Sequence, residues 1–370
     1  MTRSHDTLAS GAASGAPVCT AIAGTNIALG KYWGKRDAAR NLPATGSLSL
    51  TLKEMGTRTT VRFGGGAADR VTLNGEPADA RVLARVSTFL DRVRARAGIQ
   101  HRAEVITENS VPTASGLASS ASGFAALALA ASRAAGLALS ATELSELARL
   151  GSGSAARSIF GGFVVMARGE RADGRDAVAA PLGAAHEPDD QTGPATAPPV
   201  TWDLRLVVAV TAAGEKALGS TSAMDSTART SPFYPAWVAS SADDLAQARA
   251  AIAARDLAAL GVVAERSALR MHATALGADP AILYWNAATV AAIHATRALR
   301  AGGTAAYFTI DAGPHVKVLC AAADAALVSQ TMGGVPGVLR TIIASPGPGA
   351  RVVEWTEPAT ERPARVGSLA

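Results

Sequence analysis

A mixed fold of strands and helices is what this sequence predicts, on three observations. Leu48, Leu50 and Leu52 alternate with Ser47, Ser49 and Thr51, the period of a strand. Val82, Leu83, Val86, Phe89, Leu90 and Val93 form one apolar stripe at helical spacing. The chain has 370 residues, 48% apolar and 18% charged, enough for one large or two medium domains with a real core.

The elements follow in order. Residues 1–18 hold Arg3, His5 and Asp6 among small residues and no apolar stretch, which predicts a disordered tail, not a secretory signal. A buried strand at 20–29 leads into Lys31-Tyr32-Trp33-Gly34-Lys35-Arg36-Asp37. Strands at 47–52, 58–63 and 70–73 come next, with Asn74-Gly75 as a hairpin turn. The striped helix spans 80–97, and a strand at 103–109 delivers the chain to a loop of small and hydroxyl residues, Val111 to Phe124. A helix at 139–150 has Ser140 at its start and Glu143 three residues on, the spacing of a capping box. A second small-residue segment, 151–162, carries Arg157. Pro, Gly, Asp and Thr crowd 181–199, marking a surface loop and a candidate domain junction. Beyond it a strand at 204–210 precedes helices at 240–254, 257–275 and 279–300, the last placed by Pro280 at its start. A hairpin at 305–320 turns around Asp311-Ala312-Gly313-Pro314, then come a helix at 321–330 and a strand at 338–343. No internal repeat is present.

Composition narrows the function. The net charge of +5 comes from arginines spread along the chain without a basic block, which argues against a nucleic-acid platform and for an anionic small molecule. No apolar run reaches the length of a membrane span. Cys19 and Cys320 lie far apart without metal-ligand spacing, so free thiols in a reducing cytosol are the plainer reading.

Four groups of residues could carry chemistry. The loop Pro112-Thr113-Ala114-Ser115-Gly116-Leu117-Ala118-Ser119-Ser120 runs into an alanine-rich helix. Small residues let a backbone approach a ligand, and a helix start offers unpaired amides to a phosphate. The spacing is neither that of a Walker loop nor of a dinucleotide fold, and a helix start packed tightly on a sheet is an equal reading. Lys31 and Lys35 bracket Tyr32 and Trp33 close to Asn26, fitting either surface lysines beside buried aromatics or a pair of cations for a diphosphate. Arg157 is either a helix-surface arginine or a guanidinium for bidentate capture of a carboxylate. Asp311 in its turn reads first as a local backbone cap, and His272 as a packing histidine with no metal-ligand partner beside it.

Taken together, Asn26-Ile27-Ala28-Leu29-Gly30-Lys31-Tyr32-Trp33-Gly34-Lys35-Arg36-Asp37, the Pro112 loop, the 151–162 segment and Phe308-Thr309-Ile310-Asp311-Ala312-Gly313-Pro314 resemble the diphosphomevalonate decarboxylases of the GHMP kinase superfamily. Ser220-Thr221 with Met224, Thr230-Ser231-Pro232-Phe233-Tyr234 and Met271-His272-Ala273 extend the resemblance over residues 20–353. It implies a two-lobed α+β fold. Residues 19–200 would form an N-terminal lobe like ribosomal protein S5 domain 2, and 201–356 a ferredoxin-like C-terminal lobe, with tails at 1–18 and 357–370. It also implies a cytoplasmic homodimer that uses ATP and Mg²⁺, with a small phosphorylated substrate and neither nucleic acid nor membrane as partner.

The reaction implied is phosphorylation of the 3-hydroxyl of mevalonate 5-diphosphate, followed by loss of phosphate and carbon dioxide to give isopentenyl diphosphate. By position, Asp311 would orient or deprotonate the hydroxyl, Arg157 would hold the carboxylate near Ser154, and Lys31 would add charge at the reacting centre. Tyr32 and Lys35 would contact the 5-diphosphate, with Asn26 and Ser220 beside the substrate. Pro112, Gly116, Leu117, Ala118, Ser119 and Ser120 would cradle the ATP phosphates, and no protein metal ligand is assigned. Decarboxylation of the 5-monophosphate, or 3-phosphorylation alone, are the alternatives. The chain departs from the family pattern at Ala44-Thr45-Gly46-Ser47, Gly219, Ala223 and His315.

Overall fold

The computed structural model describes residues 18–64, 66–110, 119–182, 202–214 and 218–353. Its first half comprises β1 (Val18–Gly30), β2 (Lys35–Asp37), β3 (Leu42–Pro43), β4 (Ser47–Phe63), β5 (Arg70–Leu73) and β6 (Glu76–Pro77). Then come α1 (Ala80–Ala97), β7 (Ala103–Asn109), α2 (Ser119–Ala134), α3 (Ala141–Gly151), α4 (Ala155–Ser158), β8 (Phe163–Met166) and β9 (Ala179–Pro181). The second half comprises β10 (Leu204–Val210), α5 (Ser220–Thr230), α6 (Tyr234–Ala254), α7 (Leu257–Leu276), α8 (Ala287–Ala301), β11 (Tyr307–Ile310) and β12 (Val316–Ala321). It ends with α9 (Ala325–Gly333), β13 (Arg340–Ala344) and β14 (Arg351–Val353).

Two sheets carry the α+β architecture. In the first the order is β14-β1-β4-β7-β5-β6, with β8 joined to β4 and β9 to β8; only β5 and β7 run parallel. The 17-residue β4 makes this possible, since its start pairs β8 and its end pairs β7. The second sheet is antiparallel, in the order β11-β12-β10-β13. Helix α2 lies on β1 and β4, and its Ala121, Ala125, Ala128 and Ala131 are buried. Alanine at those places lets helix and sheet approach closely, which explains the heavy use of that residue in α2.

The sheets meet through a shared apolar core. Ile27 and Leu29 of β1, and Leu48, Leu50 and Leu52 of β4, pack with Leu206 and Val208 of β10 and with Leu260 and Val263 of α7. Because side chains alternate along a strand, Asn26 and Ala28 then face the opposite way, into the cleft described below. The polar side of β4 is equally buried: Ser47, Ser49 and Thr51 are all closed to solvent.

The capping box of α3 forms as expected, with the Ser140 hydroxyl accepting from the Glu143 amide and Glu143 accepting from the Ser140 amide. One helix start is corrected. The helix expected at 279–300 begins only at Ala287, because Asn286 caps it: its Oδ1 accepts from the Thr289 amide at 2.9 Å. Ile282, which extended the apolar pattern backwards, packs in a separate cluster with Trp33, Met224 and Met271. Helix α6 starts earlier than expected, at Tyr234, and α5 was not anticipated. Both cysteines are free and buried.

Candidate active site

Lys31 follows directly on β1, so the strand that crosses both cores also aims this side chain. Gly34 then holds φ at 98°, a conformation that favours glycine, and turns the chain so that Tyr32 and Lys35 join Lys31 on one wall. The Lys31 ammonium donates to Asp311 Oδ1 at 2.6 Å and to the Ala28 carbonyl at 2.8 Å. Asp311 comes from the opposite half, at the end of β11. Its other oxygen lies 3.1 Å from Lys317 Nζ of β12, an ion pair out of hydrogen-bond alignment. The exposures decide which member can meet a ligand: the Asp311 side chain keeps 21%, Lys31 1% and Lys317 none.

Two cations beside one carboxylate govern its titration. Burial alone would raise the Asp311 carboxyl, but Lys31 and Lys317 outweigh it and hold the group well below the usual carboxylate range. Lys31 is brought down to about 8, chiefly by burial and partly offset by Asp311. His272 and His315 lie close by, and burial first, then a neighbouring lysine, lowers each to about 3. Both are therefore neutral at physiological pH. His272 packs against Tyr284 and Trp285, as a packing histidine should.

Arg157, on the one-turn helix α4, is buried and faces the same space. Its Nε donates to Ser49 Oγ at 3.0 Å and to Asn26 Oδ1 at 3.3 Å, and its Nη1 to Ser47 Oγ at 2.7 Å. Asn26 in turn donates to the Ser154 carbonyl and the Ser158 hydroxyl, so β1 and β4 fix the guanidinium between them. Among the described residues no carboxylate pairs with Arg157, and burial lowers it to about 10. The Tyr32 hydroxyl is buried without a hydrogen-bond partner among the described residues, 5.9 Å separating its ring from the guanidinium carbon.

These side chains line one cleft of about 1070 Å³. It brings together Asn26, Lys31, Tyr32, Lys35, Ser120, Ser154, Arg157, Ser220 and Asp311, every expected site residue whose side chain is described. Pro112, Gly116, Leu117 and Ala118 lie outside the described residues, and Ser119 is described only as the start of α2. Asp311 does not serve as a local cap, since both its oxygens meet lysines. Reasoning from sequence missed Ser47, Ser49, Lys317 and the cleft-facing Arg81, Arg85 and Arg92 of α1. A lone lysine in the apolar run Val316 to Leu319 was the available signal for Lys317.

The cleft thus joins the buried cations Lys31 and Arg157 with the Asp311 carboxylate and hydroxyls, a set suited to an anionic substrate with a carboxylate and phosphates. Residues 23–179 match the family model described as diphosphomevalonate decarboxylase-like N-terminal domain, and residues 206–337 that of the mevalonate 5-diphosphate decarboxylase C-terminal domain. The chain belongs to the diphosphomevalonate decarboxylase family. It is 35% identical over 337 residues to the diphosphomevalonate decarboxylase of Aspergillus fumigatus, covering 86% of this chain and 80% of that one. The human diphosphomevalonate decarboxylase is 35% identical over 324 residues, with 81% and 76% covered. Among solved structures, mevalonate diphosphate decarboxylase from Staphylococcus aureus superposes with a TM-score of 0.83 at 38% identity, over 91% of this chain and 98% of that one. A structure described as MDDEF in complex with MVAPP, AMPPCP and magnesium gives 0.82 at 39% identity, over 92% and 99%. The two-sheet α+β architecture of this family member is therefore that of the GHMP kinase fold.

Proposed function

We propose that this chain converts mevalonate 5-diphosphate to isopentenyl diphosphate with ATP, releasing ADP, phosphate and carbon dioxide. The observation that carries the reading is the pairing of Asp311 with Lys31 on the same cleft wall system as Arg157, which has no carboxylate partner of its own among the described residues. A tertiary hydroxide leaves poorly and a phosphate leaves well, so phosphoryl transfer prepares the bond that decarboxylation then uses. Asp311 is too weak a base, between two ammonium groups, to be assigned deprotonation of a free alcohol; it accepts the 3-hydroxyl hydrogen bond and orients the oxygen toward the γ-phosphoryl group. A loose phosphoryl-transfer transition state asks for that positioning more than for a strong base. Arg157 holds the substrate carboxylate, Asn26 holds Arg157, and Ser154 and Ser220 border the same substrate. Lys31 offsets charge at the reacting oxygen.

Tyr32 and Lys35 take the 5-diphosphate, and the additional cleft arginines Arg81, Arg85 and Arg92 favour the diphosphate over the monophosphate. The helix start at Ser119 and Ser120, with the Pro112–Ala118 loop, takes the ATP phosphates. Among the described residues no group of three or more His, Cys, Asp or Glu could hold a metal ion. The cationic and hydroxyl wall fits phosphate oxygens, so Mg²⁺ belongs with the nucleotide, where it would screen phosphate charge. Residues 19–200 supply Asn26, Lys31, Lys35 and Arg157, and 201–356 supply Asp311, Lys317 and Ser220, so the site forms where the two lobes meet. A cytoplasmic homodimer accompanies this reading.

The test incubates the purified protein with Mg-ATP and, separately, mevalonate, its 5-phosphate and its 5-diphosphate, following ADP and carbon dioxide. Both products should appear with the 5-diphosphate. ADP without carbon dioxide would make the chain a kinase, and turnover of the 5-phosphate alone would reassign the substrate. Light scattering of the eluted protein reports the homodimer.

A further inference from the structure

Lys317 sits in the middle of the second sheet, on a strand paired on both sides: it is opposite Val208 of β10 and Thr309 of β11. Val316, Val318 and Cys320 of the same strand fill the apolar cluster on one face, so alternation turns Lys317 to the other. There its side chain is wholly closed to solvent, and Asp311 Oδ2, at 3.1 Å, is the one ion-pair partner it has among the described residues. An ammonium group so placed carries a large desolvation cost, which an apolar side chain in the same strand would avoid.

We infer that Lys317 is a positioning residue for Asp311: it fixes the far carboxylate oxygen and supplies the second positive charge that keeps the group ionised. Lys31 holds one oxygen from the first half of the chain and Lys317 the other from within the second sheet, so the carboxylate is clamped from both sides. The Ala28 carbonyl ties the arrangement together, accepting from both Lys31 Nζ and the Thr309 hydroxyl beside Lys317. The charged and titratable groups facing Asp311 are Lys31, Lys317, Arg157, His272 and His315, and the two histidines are neutral at working pH.

The two lysines also act on each other. Lys317 lowers Lys31 by repulsion while it lowers Asp311 by attraction. Removing its charge should therefore raise both groups, moving both limbs of a pH profile in the alkaline direction. A lysine that merely filled space would change rate or stability and leave the limbs in place.

The inference rests on the proposed reaction, and its test is chosen to survive that reaction's failure. For Lys317→Met, kcat/KM with Mg-ATP and mevalonate 5-diphosphate should gain an acid limb near the ordinary aspartate range, about pH 4, absent from the wild type. Its alkaline limb should rise above the wild-type position near 8. Lys317→Arg should restore the wild-type limbs. Independently of turnover, the Asp311 carboxyl carbon is titrated by NMR in protein labelled with ¹³C-aspartate, assigned by its loss in Asp311→Asn, and its midpoint should rise by about one pH unit or more. Should Lys317→Met fail to fold, Lys317→Gln, which keeps a donor and loses the charge, is expected to give the same shifts. Unmoved limbs together with an unmoved carboxyl midpoint would overturn the inference. If the wild type shows no turnover, the reaction is wrong and the carboxyl titration alone decides the role of Lys317.

Discussion

Replacing Arg157 by methionine separates what this residue does for folding from what it does for a substrate. The buried guanidinium is brought down from 12.5 to about 10, a penalty on the cation of the order of 3 kcal/mol in the folded protein. Against this stand its three hydrogen bonds to Ser47, Ser49 and Asn26, each contributing about 1.5–3 kcal/mol because the donor is charged. Methionine fills most of the volume, and the freed Ser47 and Ser49 hydroxyls can take up water from the cleft. The opposing terms leave a net loss of about 1.5–6 kcal/mol, so the variant should remain folded, with Tm lowered by less than about 10 °C. Activity should respond quite differently. A bidentate contact to the substrate carboxylate is two charge-assisted bonds, about 3–6 kcal/mol together. Its loss converts to roughly 10²–10⁴ in kcat/KM. Circular dichroism melts and initial rates of carbon dioxide release measure the two effects on the same preparation. A folded variant with kcat/KM within tenfold of wild type would remove Arg157 from substrate binding. A variant that no longer melts cooperatively would mean that the guanidinium holds the fold.

Three further outcomes are expected. Asp311→Asn keeps the shape of the side chain but leaves Lys31 and Lys317 without a counter-charge; decarboxylation should fall by about three orders of magnitude while nucleotide affinity, read by equilibrium dialysis, changes less than threefold. Near-normal rates would exclude Asp311 from the mechanism. Lys31 titrates at about 8 in the folded protein against an ordinary 10.5, so kcat/KM should decline as pH rises through 8. Between those two values the unfolded chain binds the extra proton, and this group's contribution to stability increases with pH; urea midpoints at the two ends of the window, with rates alongside, test the opposed trends, and a rate that holds to pH 10 contradicts them. Gly153→Ala would put a methyl carbon 2.3 Å from the Tyr32 hydroxyl, so the ring must move. KM for the diphosphate substrate should then rise about tenfold with stability reduced by about 1–3 kcal/mol; an unaltered KM would show that Tyr32 does not contact substrate.

Much of the fold could be read from residue periodicity and capping. The helix at 80–97 has a single apolar stripe and an Asp79 cap, and α3 carries its capping box in adjacent residues, so both signals are local. Where the determinant was remote the reading went astray. The apolar residues before Ala287 mimic helical spacing, yet Ile282 answers to Trp33 and Met271 from elsewhere in the chain. The serines of β4 show the same limit in the site. Their alternation with leucine identifies a strand, but period-two patterning is equally satisfied by water or by a buried guanidinium on the polar face. Only when α4 is folded against β4 do Ser47 and Ser49 become the seat of Arg157. Lys317 lies 286 positions after Lys31 in sequence and shares its carboxylate, a pairing no local pattern encodes.

The charges of this cleft explain why its parts come from separate stretches of chain. In the buried group around Asp311, Lys31, Lys317 and Arg157 are cationic and Asp311 alone is anionic, which leaves a surplus of two positive charges there. Burial already lowers Lys31 and Arg157, and it keeps His272 and His315 from adding to the surplus. Such a site is least comfortable when empty. On the proposed roles, a carboxylate at Arg157 and phosphoryl oxygens toward Lys31 and Lys35 would remove the imbalance, so part of the binding energy for an anionic substrate would be stored as electrostatic tension in the folded protein. The apolar core shared by the two sheets holds that tension in place, because the leucines of β4 anchor the same strand whose serines seat the guanidinium. Substrate or its analogues should accordingly raise Tm by more than the nucleotide does alone, and Arg157→Met should lose most of that increment.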